Sequence, residues 1–112
     1  MTTKTLSRLK EALTVKSWPK GGVLPTVEID YPQEGEPIFP GHYAIRISAN
    51  GPVELSINQG PWHACRTSIG YYWYDWWVKR AGQHNLVART RSFGRWKKSK
   101  ERFCSVIASS TN

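Results

Sequence analysis

From Thr26 onward the chain alternates. Val27, Ile29 and Tyr31 are interleaved with Glu28 and Asp30, the period of two that sends a strand's side chains to opposite faces. The same period places Tyr43, Ile45, Ile47 and Ala49 on one face of the next strand, and it runs through Val53–Ile57. Further strand-like runs are Pro61–Arg66, Gly70–Val78, Gln83–Arg91 and Arg102–Ile107. Asn50-Gly51-Pro52, Asn58-Gln59-Gly60, Ala81-Gly82 and Ser92-Phe93-Gly94 supply turn chemistry between them. Pro32 to Pro40 reads as a turn-rich loop. About seven strands at roughly ten-residue spacing predict an all-β antiparallel sandwich, with a small barrel as the competing architecture.

The first residues follow a different period. Leu6, Leu9, Ala12 and Leu13 fall at helical spacing within residues 4–15, with Lys4, Arg8, Lys10 and Glu11 on the other face. Thr3 or Thr5 would cap this helix. Lys16 to Pro25 reads as a linker, because two prolines and Gly21-Gly22 break any helix, and Trp18 is expected to anchor it. The expected organisation is a helix and linker over 1–25, a sandwich over 26–107 and a flexible tail over 108–112.

A length of 112 residues suits one domain and one core. No run of 18 apolar residues is present, so no transmembrane helix is expected. The N-terminus lacks the apolar stretch of a signal peptide, which favours the cytoplasm. In that compartment Cys65 and Cys104 are expected as free buried thiols, although they could meet across a sandwich and pair. The net charge of +8 is unevenly spread. Residues 79–102 carry nine bases and one acid, whereas residues 23–78 carry two bases and six acids. That asymmetry suits an anionic partner or an acidic protein surface, and equally a solvated face.

Several segments resemble a known family. Ile29-Asp30-Tyr31-Pro32-Gln33-Glu34-Gly35 looks like the entry strand of bacterial immunoglobulin-like or fibronectin III-like domains. Val53 to Trp62 resembles their V-E-V-S-x-D-G-G-x-W hairpin, with Asn58 and Gln59 in place of the acidic-glycine turn. Tyr74-Asp75-Trp76 and Gly82 to Thr90 resemble their Y-x-W and G-x-H-x-L-x-V-R-A segments. The same run is similar to the C-terminal dimerisation domain of sulfite-oxidase-type molybdoenzymes. The resemblance covers residues 27–107 and implies an immunoglobulin-like sandwich. It carries over no catalytic role, because no molybdenum-cofactor domain is attached.

Two surfaces are candidates for function. Matching Tyr74 and Trp76 to the family pattern turns Tyr72, Tyr74 and Trp76 inward and leaves Tyr71, Trp73 and Trp77 outward. Three outward rings would form a patch to be covered by Trp18 and the helix, by a protein partner or second copy, or by a sugar. The missing secretion signal counts against carbohydrate. The second surface is the basic cluster Arg89, Arg91, Arg95, Lys97, Lys98 and Lys100, with Phe93 and Trp96 among them. Bases interleaved with aromatics suit a nucleic acid, although no recognised nucleic-acid motif is present. His63 and Cys65 share a strand face, but neither metal-ligand spacing nor an orienting third group accompanies them. Asp75 would have a raised pKa if buried among the aromatics, or would pair with Arg66. The expectation is a non-catalytic protein-interaction or assembly module without cofactor or metal, and with no membrane role. Nucleic-acid binding and carbohydrate binding are the alternatives.

Overall fold

The computed structural model describes residues 24–92 and 94–108. The helix expected over 4–15, the linker with Trp18, Phe93 and the tail from Ser109 lie outside the described residues. Ten strands form among the described residues: β1 (Val27–Tyr31), β2 (Glu36–Ile38), β3 (Gly41–Ala49), β4 (Val53–Ile57), β5 (Trp62–Ala64), β6 (Arg66–Ser68), β7 (Tyr71–Val78), β8 (Gly82–Ser92), β9 (Arg95–Lys98) and β10 (Arg102–Val106). They build two sheets. One has the order β1-β3-β7-β6. The other has the order β2-β10-β8-β4-β5, with β9 also paired to β8.

Alternation explains the sandwich. Ile29, Ile45, Ile47 and Trp76 face inward from the first sheet, and Val53, Leu55, Leu86, Ala88 and Cys104 from the second. Ile45, Ile47, Leu55, Leu86 and Ala88 are wholly inaccessible to solvent. Each of these isoleucine and leucine side chains stabilises the fold by about 1.5–3 kcal/mol through removal from water. Tyr72 and Tyr74 pack against this core from β7.

Three expectations need correction. The stretch Pro32–Pro40 is not only a loop, because β2 forms within it and pairs with β10. That pair is parallel, so the sandwich is not wholly antiparallel. The chain leaves β1 at the edge of one sheet and crosses to the edge of the other without reversing direction. A hairpin would have given the antiparallel sense. Finally, the single strand expected over Pro61–Arg66 is two short strands in different sheets: β5 pairs with β4, and β6 pairs with β7. The chain changes sheets between Ala64 and Arg66, as strands at sandwich corners do.

β8 positions the surface discussed below. It pairs with β4 along one edge over Leu86–Thr90. Along the other edge it pairs with β10 over Gly82–Leu86 and then with β9 over Arg89–Ser92. Ser99 fills the gap between these two partners. Its backbone N–H donates to the Ala88 carbonyl at 2.8 Å, and its Oγ accepts from Ala88 N–H at 3.0 Å.

Candidate functional site

The outer face of the four-stranded sheet carries Tyr71, Trp73, Asp75 and Trp77 from β7, opposite Arg46 and His42 from β3. The rings do not form a bare patch. The Arg46 guanidinium lies over Tyr71 at 4.0 Å and over Tyr31 at 4.9 Å from the ring centroids. Its Nε donates to Asp30 Oδ2 at 3.1 Å. Trp73 is half-buried, and its Nε1–H donates to the Ser68 carbonyl at 2.9 Å. Trp77 alone of the three stays largely open, at 67% exposure, with the His42 ring tilted against it at 4.9 Å.

Asp75 takes the paired reading. Arg66 donates to both its oxygens, from Nε at 2.9 Å and Nη2 at 3.2 Å, and His42 Nε2 bonds Oδ1 at 2.9 Å. Arg66 first and then His42 hold the Asp75 carboxyl well below the ordinary carboxylate range. The carboxylate raises the Arg66 guanidinium in turn. These groups satisfy one another and have the geometry of a surface clasp across β3, β7 and β6.

The thiols lie away from both outer faces. Cys104 is buried and Cys65 half-buried, and neither is in a disulfide. Burial pushes the Cys65 thiol up to about 12 and that of Cys104 up to about 11, so both are protonated at neutral pH and poor nucleophiles. His63 stacks its ring on Tyr74 at 5.4 Å.

The six-stranded sheet presents a second outer face, and the basic cluster splits across it. Cross-strand registers put Arg89 beside Lys98 and Arg91 beside Trp96 on the outer side. Arg95 and Lys97 point the other way, opposite Ser92 and Thr90. Lys97, Lys98 and Lys100 line a cleft against Val27 and Glu28 of β1. All four residues of β9 are exposed.

Arg89 differs from the other cations. Its Nε and Nη2 both donate to Glu54 Oε1, at 2.8 and 2.6 Å. Its guanidinium is clamped between two indoles, 4.1 Å from the Trp62 centroid and 4.0 Å from that of Trp96. Sequence reasoning grouped Arg89 with its basic neighbours and did not single out Glu54 or Trp62. Only the registers Glu54↔Arg89 and Glu54↔Ala64 bring β4, β5 and β8 together here.

Beside Trp62 lies a groove of about 400 Å³, lined by Trp62, Gln59, Ser56, Asn85, Lys98 and Glu101 among others, and not by Arg89. Its floor is a bonded network. Gln59 Nε2 donates to Asn85 Oδ1 at 3.0 Å, and Asn85 Nδ2 donates to Glu101 Oε2 at 2.7 Å. Asn58 fastens the same turn to β8, accepting from Asn85 N–H at 2.9 Å and bonding His84 Nδ1 at 2.8 Å. His84 Nε2 faces the Arg80 carbonyl at 2.7 Å, so that nitrogen carries the proton and Nδ1 accepts from Asn58.

No family model and no curated protein matches the sequence. Solved structures do match the fold. One is an engineered protein from the Northeast Structural Genomics Consortium, at 13% identity and a TM-score of 0.63, covering 76% of this chain and 20% of that one. Another is the endo-β-1,4-mannanase from Thermotoga petrophila, at 14% identity and a TM-score of 0.63, covering 78% of this chain and 20% of that one. The chain thus spans about a fifth of the length of the structures it resembles. At this identity the likeness is one of all-β fold alone.

Proposed function

We propose that this chain is a non-catalytic interaction module of immunoglobulin-like type that docks on an acidic protein surface through the β8–β9 hairpin. The strand orders β1-β3-β7-β6 and β2-β10-β8-β4-β5 support the immunoglobulin-like part. They follow the A-B-E-D and C-F-G sheets of that fold, with extra edge strands. The sequence resemblance over residues 27–107 supports the same class.

One observation carries the docking reading. Arg46, Arg66, Arg89 and Arg102 each have a carboxylate within 4 Å. Among the described residues Arg91, Arg95, Lys97, Lys98 and Lys100 have none in that range, and they share one hairpin and its exit. Cations so concentrated, with no carboxylate partner among the described residues, raise the local potential and steer an acidic partner. Trp96, at 46% exposure and held upright by Arg89, adds a rigid aromatic anchor among them. The aromatic strand is a weaker candidate, because Arg46 already covers Tyr71.

A nucleic acid is the second reading, favoured by the indole rings set among the cations. No recognised nucleic-acid motif accompanies them, which places this reading second. Fluorescence anisotropy with labelled poly-glutamate and with a single-stranded oligonucleotide distinguishes the two. The expected result is poly-glutamate binding at low salt that is lost at about 0.3 M salt. Combined Arg91→Glu, Lys97→Glu and Lys100→Glu substitutions should also abolish it. Tighter binding of the oligonucleotide transfers the site to the second reading. Binding of neither probe overturns both.

A further inference from the structure

The groove beside Trp62 borders the docking hairpin and shares Lys98 with it, but its chemistry is different. We infer that it is a binding site for a neutral saccharide, with Trp62 as the stacking platform and Gln59, Asn85 and Glu101 as the polar floor.

Arg89 lies over the Trp62 ring, 4.1 Å from its centroid, and does not line the groove, whereas the ring itself does. Arg89 thus holds the indole plane at the wall of the groove, with the Lys98 ammonium farther off, 5.9 Å from the ring centroid. A fixed indole face with its negative quadrupole suits the C–H face of a pyranose ring, and fixing it beforehand lowers the ordering cost of binding.

The floor suits hydroxyl groups. Gln59 Nε2 and Asn85 Oδ1 are bonded to each other, and Asn85 Nδ2 is bonded to Glu101 Oε2. Gln59 Oε1 and Glu101 Oε1 stand outside that chain of bonds as acceptors, with the Lys98 ammonium, 5.9 Å from the Trp62 ring centroid, as a donor beside them. Sugar hydroxyls both donate and accept, so a rim offering acceptors and a donor can satisfy a pair of neighbouring hydroxyls. Lys98 and Glu101 balance in charge, which favours a neutral ligand over a phosphate or a uronate. The volume of about 400 Å³ lies in the small-molecule range.

Gln59 supplies the independent observation. It has φ 58° and follows Asn58 at φ 54°, in a two-residue turn closed by Gly60 N–H to the Ile57 carbonyl at 3.0 Å. Glycine is the favoured second residue of such a turn, and a glutamine there is strained. The strained residue is the one whose amide enters the groove.

That location gives a variant that separates binding from folding. Gln59→Gly relieves the turn and keeps the fold, while removing the amide from the groove. Isothermal titration with neutral hexasaccharides of β-1,4-glucose, β-1,4-mannose and α-1,4-glucose should detect at least one ligand, with little response to salt. Gln59→Gly should keep the melting temperature within about 3 °C and weaken that ligand about ten-fold. Trp62→Ala should weaken it further. Arg91→Glu and Lys97→Glu, which test the docking hairpin, should leave it unchanged, so the two readings fail separately. Absence of binding by all three hexasaccharides at about 5 mM overturns the inference, as does wild-type affinity in both groove variants. Binding of a nucleoside but of no sugar in the same titration reassigns the groove to a base and also overturns it.

Discussion

The Arg89 guanidinium is engaged on three sides. Glu54 accepts two of its N–H groups, and Trp62 and Trp96 flank its plane. A lysine cannot reproduce this, because an ammonium is neither planar nor able to fill the slot between two rings. Arg89→Lys should therefore lower stability by about 1–2 kcal/mol in urea unfolding and blue- or red-shift the indole emission as the rings loosen. An unchanged midpoint would show that the clamp is a surface pair of no consequence. A second residue works against the fold. Ile69 sits at φ 52° in the turn between β6 and β7, and its side chain is 84% exposed. A β-branched residue is strained in that region and here buries almost nothing. Ile69→Asn should raise the unfolding free energy by about 1 kcal/mol, read from the denaturant midpoint. Asp75 shows how linkage acts at one site. Its folded carboxyl is held below the 3.8 of the free group, so its contribution is complete above that pH and fades as acid protonates the folded form.

At the scale of elements, the β8–β9 hairpin depends on a switch. β8 exchanges β10 for β9 between Leu86 and Arg89, and the ladder would leave the Ala88 N–H unpaired there. The Ser99 hydroxyl accepts that bond, and Ala88 is wholly buried. Ser99→Ala removes the acceptor from a group that water cannot reach. The expected cost is about 1–2 kcal/mol, with faster amide exchange at Ala88 and along β9 and little change in β1, β3 and β7. Uniform loss of protection would place the switch inside the global folding unit instead. β2 is stitched down in a comparable way. Gly35 N–H donates to the Phe103 carbonyl at 2.7 Å, and Tyr43 O–H donates to Glu36 Oε2 at 2.9 Å. Burial, reinforced by that carboxylate, pushes the Tyr43 hydroxyl above its ordinary pKa and keeps it a donor.

For the whole molecule, the two sheets leave two outer faces that differ in how charge is used. On the four-stranded sheet every arginine meets a carboxylate and a network closes on itself. On the six-stranded sheet Arg89 is closed in the same way, while the cations beyond it are left without described partners. The salt response proposed for docking arises at this scale, because it depends on the sum of several charges and not on any one pair. The groove beside Trp62 has one cation and one carboxylate on its rim, so its response to salt should be small.

The alternation along Tyr43–Ala49 and Val53–Ile57, and at Val27 and Ile29, was enough to determine the β class and most of the core, because a strand's two faces are set by its own sequence. A bulge after Ile29, however, leaves Tyr31 exposed beneath Arg46. Matching Tyr74 and Trp76 to the family pattern turned Trp76 inward and Trp77 outward, as the burial of each shows. The edges were not legible in the same way. β2, β6 and β9 are three or four residues long, too short for a period to emerge from turn-like composition. Which strand lies beside which was likewise beyond local pattern, since pairing joins residues far apart in the chain. Glu54 meets Arg89 across 35 positions, and Gln59 meets Asn85 across 26. The tertiary structure alone therefore decided that Tyr71, among the outward rings of β7, is covered by Arg46, and that Trp62, within an ordinary strand by sequence, walls a groove. A charge or ring becomes a site only through the neighbours that satisfy it or leave it open, and those neighbours are supplied by the fold.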